Sequence, residues 1–212
     1  TVIAKEISGA AGTLNNAVLN TAKGSLSDAD ILYSVSGSNL TITNSGDHFN
    51  AQTAYSLDGN ITTNTGNIDF DSALTLAANK TISTTGVSGN ITFDGSLNGA
   101  QTLSLNAGSG IIDFNGAIGN SVGLTSLTLN AGSITPSAST TLSVGTFDLQ
   151  TGTWDQITAS LPSFSATYFK ITGGTFKRFS GGDGASGTPY LIGDVYGLQG
   201  GGSSGMLGLA YK

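Results

Sequence analysis

No cysteine occurs in the chain, so no disulfide holds it together. Basic residues are also few: seven Lys and Arg, scattered, against thirteen Asp and Glu. The net charge of −6 and pI near 4.3 leave no basic stripe for a nucleic acid. Charged residues of both signs reach only 9%, far below the usual quarter or so. No apolar run approaches the roughly 20 residues of a membrane-spanning helix, so membrane insertion is not expected. No signal peptide opens the chain. Histidine appears once, arginine once and proline three times.

What is abundant is glycine, 32 of 212 residues without a collagen period, together with Thr, Ser and Asn. Within residues 66–132 one phrase returns three times: Phe70-Asp71-Ser72-Ala73-Leu74, Phe93-Asp94-Gly95-Ser96-Leu97 and Phe114-Asn115-Gly116-Ala117-Ile118. The Phe intervals are 23 and 21 residues (93 − 70 and 114 − 93). A second phrase, Leu-polar-Leu followed by small residues, recurs at Leu74–Ala78, Leu103–Ala107 and Leu127–Ala131. Repeats of this length mark stacked architectures.

The local pattern says what is stacked. Ile68-Asp69-Phe70-Asp71, Ile91-Thr92-Phe93-Asp94 and Ile112-Asp113-Phe114-Asn115 alternate apolar and polar residues. A period of two places Ile and Phe on one face of a strand. Each run stops at Gly, Asn or Ser, which turn the chain. One short coil encloses no core, but coils laid on one another line up Ile, Phe and Leu in columns. The expected fold is therefore all-β: a parallel β-helix, with coils about 4.8 Å apart.

Three zones are expected. Residues 1–38 form an irregular first coil or N-terminal edge. Residues 39–150 hold about five regular coils of roughly 20–25 residues each. Tyr55–Thr63 reads as one strand, and Ser126–Asn130, Thr140–Val144 and Thr146–Gln150 as three. Residues 151–212 form an elaborated coil, because six of the sixteen aromatics fall between Trp154 and Phe179. A side flap is expected there, then the glycine loop Ser180–Gly187, a short strand at Pro189–Ile192, one helical turn at Asp194–Gln199 and a linker at Gly200–Gly205. Leu207-Gly208-Leu209-Ala210-Tyr211-Lys212 starts an alternating strand and stops, with no convincing polar cap at Lys212. Thr1 stands where an initiator Met would, so the chain reads as a piece of a longer one.

The phrases Ile91–Leu97 and Leu127-Thr128-Leu129-Asn130-Ala131-Gly132 resemble repeats of filamentous haemagglutinin-type surface proteins. So does the longer run Leu161–Phe176, continued through Gly181–Ile192 to Tyr196-Gly197-Leu198-Gln199. The resemblance covers roughly residues 66–212. It implies very large exported proteins of Gram-negative bacteria, right-handed β-helices passed through an outer-membrane partner, many of them adhesins. No N-terminal secretion domain of that family is evident, and no binding residue transfers, since the matching residues are structural.

Motifs that carry chemistry elsewhere lack their context here. Gly182-Asp183-Gly184-Ala185-Ser186-Gly187 fits a dinucleotide fingerprint, but that loop must follow a strand and open a helix. Gly119-Asn120-Ser121-Val122-Gly123 and Gly201-Gly202-Ser203-Ser204-Gly205 fit a nucleophile elbow, which needs a helix and a histidine base. The one histidine, His48, stands beside Asp47 in an expected turn. Asp69, Asp71, Asp94 and Asp113 are the only candidate metal ligands, projecting from one face. Calcium takes roughly six to eight oxygens, so two or three such carboxylates make at best a weak site. Asn39-Leu40-Thr41, Asn60-Ile61-Thr62, Asn79-Lys80-Thr81 and Asn90-Ile91-Thr92 are glycosylation sequons that composition alone produces. The Thr41/Thr43 doublet is not repeated across residues 70–130, as a flat ice-binding face would require.

These readings lead to an expectation of no catalytic residue and no cofactor. The chain is expected to be a shaft and display segment of a secreted, surface-exposed bacterial adhesin. Its expected partner is a cell-surface glycan or protein. One alternative is a structural subunit that associates end to end, since solenoid ends expose strand edges. The other is a polysaccharide lyase or hydrolase, for which the single Arg, Arg178, lies far from the Asp residues in sequence.

Overall fold

The computed structural model describes residues 16–19, 39–45, 49–51, 54–57, 59–84 and 89–212. The strands, in chain order, are β1 (Asn16–Leu19), β2 (Asn39–Ser45), β3 (Phe49–Ala51), β4 (Tyr55–Leu57), β5 (Ile61–Asn64), β6 (Ile68–Phe70), β7 (Leu74–Leu76) and β8 (Lys80–Thr84). They continue as β9 (Ile91–Phe93), β10 (Leu97–Asn98), β11 (Thr102–Asn106), β12 (Ile111–Phe114), β13 (Leu124–Pro136), β14 (Leu142–Ile157), β15 (Phe164–Ile171) and β16 (Thr175–Phe179). One short helix, α1 (Val195–Gly200), follows.

Every pairing among these strands is parallel, and the order of pairing winds the chain into a β-solenoid with three faces. The first face stacks β1, β2, β5, β8, β11, the first half of β13, the first half of β14, and β15. The second stacks β3, β6, β9, β12, the second halves of β13 and β14, and β16. The third stacks β4, β7 and β10, then continues through single bridges at Ile118 and Leu142 to Phe164.

Register follows from the alternation. On the second face Ile68, Ile91, Ile112, Ile134, Trp154 and Phe176 lie over one another, all inward. Their intervals of 23, 21, 22, 20 and 22 residues (91 − 68, 112 − 91, 134 − 112, 154 − 134, 176 − 154) are the lengths of successive windings. A second column runs Ala51, Phe70, Phe93, Phe114 and Pro136. Phe70, Phe93 and Phe114 stack with centroids 5.3 Å apart. The first face contributes Ile61, Ile82, Leu105, Leu129, Leu149 and Ile171. Each large side chain taken from water here stabilises the fold by roughly 1.5–3 kcal/mol. A shift of one residue would turn a whole column outward.

Between the first and second faces the column residues are small. Thr63 and Thr84 are buried, and their hydroxyls donate to the carbonyls of Gly66 (2.6 Å) and Gly89 (3.2 Å). Ala107 and Ala131 follow. At Gly152, φ is +90° and a Cβ would stand 2.4 Å from the Ala131 carbonyl, so only glycine fits.

Several expectations change. Tyr55–Thr63 is not one strand: β4 and β5 belong to different faces, separated by a turn at Gly59-Asn60. Leu74–Ala78 does not align with the other Leu-polar-Leu phrases. It lies on the third face, between Tyr55 and Leu97, whereas Leu103 and Leu127 are partners on the first. Any inward-outward-inward strand writes Leu-x-Leu, so the phrase does not identify a face. The runs at Thr140–Val144 and Thr146–Gln150 are joined in the 16-residue β14. Residues 151–179 keep the register instead of forming a flap, because their aromatics other than Tyr168 occupy inward positions. Trp154 and Phe176 stack at 5.8 Å, and Phe164 and Phe169 pack on both Phe147 and Phe176. Only β1 of the zone before residue 39 is described, and it pairs in parallel with β2.

Candidate functional site

The outward positions of the second face form an ordered ladder. Asp69 lies beside Thr92, Thr92 beside Asp113, and Asp113 beside Thr135; Asp155 and Lys177 are partners further along. The alternation matters, because it puts a whole winding between Asp69 and Asp113, roughly twice the 4.8 Å strand spacing. A hydroxyl serves Asp113 as a hydrogen-bond donor, and an ammonium offsets the charge of Asp155. The Thr135 hydroxyl donates to Asp113 Oδ1, and Lys177 Nζ stands 3.8 Å from Asp155.

Asp71, Asp94, Asn115 and Ser137 follow one position after the phenylalanine column. Their backbone N–H groups donate across windings: Asp94 to Phe70, Asn115 to Phe93 and Ser137 to Phe114. Asn115 Nδ2 donates to Asp94 Oδ1 at 2.8 Å. Partial burial, and then the charge of Asp94, raise the Asp113 carboxyl above the ordinary carboxylate range. The four candidate Asp residues are thus distributed over three windings rather than converging on a point. Among the described residues no group of three or more His, Cys, Asp or Glu is placed to hold a metal ion.

The first face is polar and hydroxyl-rich outside. Thr81, Ser104, Thr128, Asp148 and Lys170 form one row; Thr102, Ser126, Thr146 and Tyr168 form another. Ser and Thr exchange places from winding to winding, so a search for Thr-x-Thr misses the regularity. Asp148 Oδ1 accepts from the Thr172 hydroxyl at 2.6 Å. Tyr168 is 65% exposed, and the other described aromatics given an exposure are far more enclosed.

No protein-family model, curated protein or solved structure matches this chain.

The remaining motifs resolve into structural parts. Gly182–Gly187 is the tip of a hairpin in which Ser180 N–H donates to Leu191 and Leu191 N–H to Gly181. It opens no helix. Asp183 accepts there from Ala185 N–H (3.0 Å) and from the Thr188 hydroxyl. That hydroxyl, and then the amide, hold its carboxyl below the usual range. Ser121 N–H donates to Asn98 Oδ1 at 3.1 Å, tying the first GxSxG loop to the winding below. Gly201–Gly205 follows α1 rather than preceding a helix. Asp47 and His48 lie outside the described residues.

The sequon asparagines have a mechanical role that the sequence reading missed. Asn60 Oδ1 accepts from Thr81 N–H (2.8 Å), Asn79 from Thr102 N–H (2.8 Å) and Asn90 from Ile111 N–H (2.9 Å). Each donor lies one winding on, and each Asn stands immediately before a strand (β5, β8 or β9), so its side-chain oxygen extends the ladder by one acceptor. The Asn39 side chain is outside the described residues.

Also missed was a polar plug at the C-terminal end of the core. Two positions after Trp154 and Phe176, the residue partners are Gln156 and Arg178, 2% and 1% exposed, continuing a column that below them holds Pro136 and then Phe114, Phe93 and Phe70. Arg178 Nε donates to Asp194 Oδ2 at 2.7 Å, Nη1 to Gln156 Oε1 and Nη2 to the Pro162 carbonyl. Its guanidinium lies 5.0 Å from the Phe164 ring centroid. Gln156 Nε2 in turn donates to the carbonyls of Thr140 (3.0 Å) and Ser137 (3.2 Å). The sequence did carry a signal: in Thr175-Phe176-Lys177-Arg178-Phe179, Arg178 shares the parity of inward Phe176. An open depression of about 390 Å³ lies nearby, lined by Thr172, Gly173, Gly174, Gln199 and Ser203 among others.

Proposed function

We propose that this chain is a non-enzymatic shaft of a large secreted bacterial surface adhesin or fibre, spacing and displaying whatever makes the contact. The observation that supports this is the use to which its polar groups are put. The Asn oxygens, the Asp–Thr pairs and the Arg178 plug are engaged in joining one winding to the next. A lyase or hydrolase needs acids and a base focused on one substrate position, and the described carboxylates are spread along the axis instead. The family resemblance of residues 66–212 points the same way, to export and to the cell surface.

Contact with a host or neighbouring-cell glycan or protein is assigned to the outer end of the first face, where Tyr168 and Lys170 project. The test is adhesion of beads coated with the purified chain to epithelial cells and to a glycan array. Wild-type beads are expected to adhere, and a Tyr168→Ser, Lys170→Ser variant to lose most adhesion while keeping its unfolding midpoint. Equal adhesion by the variant moves the contact elsewhere; turnover of acidic glycans by the wild type rejects the non-enzymatic reading.

A further inference from the structure

In an Asn-Gly pair the glycine nitrogen can attack the asparagine side-chain carbonyl carbon, because glycine has no Cβ to block the approach. The chain holds two such pairs, Asn98-Gly99 and Asn115-Gly116. Each follows a large apolar residue, Leu97 or Phe114, and precedes an alanine, Ala100 or Ala117. The sequence therefore does not distinguish them, but their surroundings do.

Asn98 is buried, and the reacting groups of its pair are engaged. Its Oδ1 accepts from Ser121 N–H (3.1 Å) and Val122 N–H (3.3 Å), and its Nδ2 donates to Ser96 Oγ (3.2 Å). The nitrogen that would attack, Gly99 N, donates to the Val122 carbonyl at 3.1 Å. Asn115 is exposed. Its Nδ2 donates to Asp94 Oδ1 at 2.8 Å. Among the described residues, however, nothing donates to its Oδ1 and nothing accepts from Gly116 N–H. The backbone is fixed before the pair, where Asn115 N–H donates to the Phe93 carbonyl, and after it, where the Ala117 carbonyl accepts from Leu97 N–H. The peptide group joining Asn115 to Gly116 has one contact, a 3.4 Å bond from the Ser137 hydroxyl to the Asn115 carbonyl.

We propose that Asn115-Gly116 is a site of spontaneous deamidation in the folded chain, that Asn98-Gly99 is protected, and that the product loosens the winding of Phe114 from that of Phe93. Gly116 N loses its proton to solvent and bonds to Asn115 Cγ. The Cγ–Nδ2 bond then breaks, and the side-chain nitrogen leaves as ammonia. Water opens the resulting succinimide ring at either carbonyl, giving aspartate or isoaspartate at position 115. Water is the only co-reactant, and nothing is oxidised or reduced. Both products lose the Nδ2 donor to Asp94 and set a second carboxylate beside it, where like charges repel. Isoaspartate also adds a main-chain carbon at a crowded point: a Cβ on Gly116 would stand 2.1 Å from the Gly95 carbonyl. The proposal does not depend on the shaft reading.

Peptide mapping of the intact chain, aged at mildly alkaline pH both folded and in urea, tests this. Mass spectrometry reads the conversion of amide to acid, and enzymatic methylation reads isoaspartate. In urea the two pairs are expected to convert at similar rates. In the folded chain Asn115 is expected to convert severalfold faster than Asn98. The aged chain should then unfold at lower urea than the fresh one. An aged Asn115→Gln variant, whose longer side chain closes the ring far more slowly, should keep its midpoint. The proposal is overturned if folded Asn98 converts as fast as Asn115, or if folded Asn115 stays intact while the urea sample converts. It is also overturned if the midpoint of the wild type does not move once Asn115 has converted.

Discussion

Phe93 is the middle of the phenylalanine column, 1% exposed, stacked at 5.3 Å on Phe70 below and Phe114 above. Its replacement measures what the column contributes. Phe93→Ala removes a buried ring that a stiff backbone cannot collapse onto, since each neighbouring strand is itself held in register on both sides. Large-to-small changes of this kind cost about 3–5 kcal/mol, and the enclosure here puts the expectation near 4 kcal/mol. Phe93→Leu keeps most of the volume but loses two ring pairs, each worth roughly 0.5–1.5 kcal/mol, so a loss of about 1–3 kcal/mol is expected. Val122→Ala, at a 47% exposed loop position, is the reference and should stay within about 0.5 kcal/mol. Urea unfolding followed by circular dichroism gives the three midpoints at a common slope. Because a solenoid is held by nearest neighbours, Phe93→Ala should also broaden the transition, with windings on either side uncoupled. A Phe93→Ala loss no larger than that of Val122→Ala would refute the columnar core.

Other substitutions probe the links between windings. Asn90→Ala leaves Ile111 N–H without its acceptor and should cost roughly 1 kcal/mol in urea unfolding. Gly116→Ala places a Cβ 2.1 Å from the Gly95 carbonyl, so its midpoint should fall further than that of Asn90→Ala. For Asp113, the folded state raises the carboxyl above its unfolded value of 3.8, so folding binds protons in that window. Its contribution therefore disfavours the fold at neutral pH and is relieved as pH falls through the folded value. Asp113→Asn keeps an oxygen for Thr135, and should be neutral or stabilising at pH 7 with a flatter pH profile of midpoints. Trp154 Nε1–H is buried without a partner, so Trp154→Phe should lose less stability than Phe176→Ala in the same assay.

The core was legible because the alternation Ile-x-Phe repeats with a fixed side-chain consequence: inward at Ile68 and Phe70, again at Ile91 and Phe93. Face assignment was less legible, since Leu74–Leu76 and Leu103–Leu105 spell the same pattern on different faces. Long strands were cut in the reading wherever Gly or Asn interrupted the apolar beat, although β13 and β14 pass through such residues by register shifts at Asn130. Of the candidate acids, Asp69 and Asp113 share the outward row of the second face while Asp71 and Asp94 follow the strand ends, and only the winding intervals reveal that Thr92 separates Asp69 from Asp113. Long-range pairings remained hidden. Nothing local in Tyr196 announces a bond to Ala166, thirty residues away, and neither Gly197 in the expected helical turn nor Gly200 in the expected linker shows locally that it lies against β16.

The absence of cysteine allows a direct measurement of register. Ser104 and Thr128 are partners on adjacent windings, and Thr128 and Asp148 are partners on the next pair. Cysteines at 104 and 128 should close a disulfide under mild oxidation, since neighbouring strands put Cα atoms about 4.8 Å apart, within reach of the bond. Cysteines at 104 and 148 are two windings apart, beyond the roughly 7 Å limit, and should stay reduced. Ready closure of the 104–148 pair, or persistent thiols in a folded 104–128 variant, would contradict the stacked parallel windings.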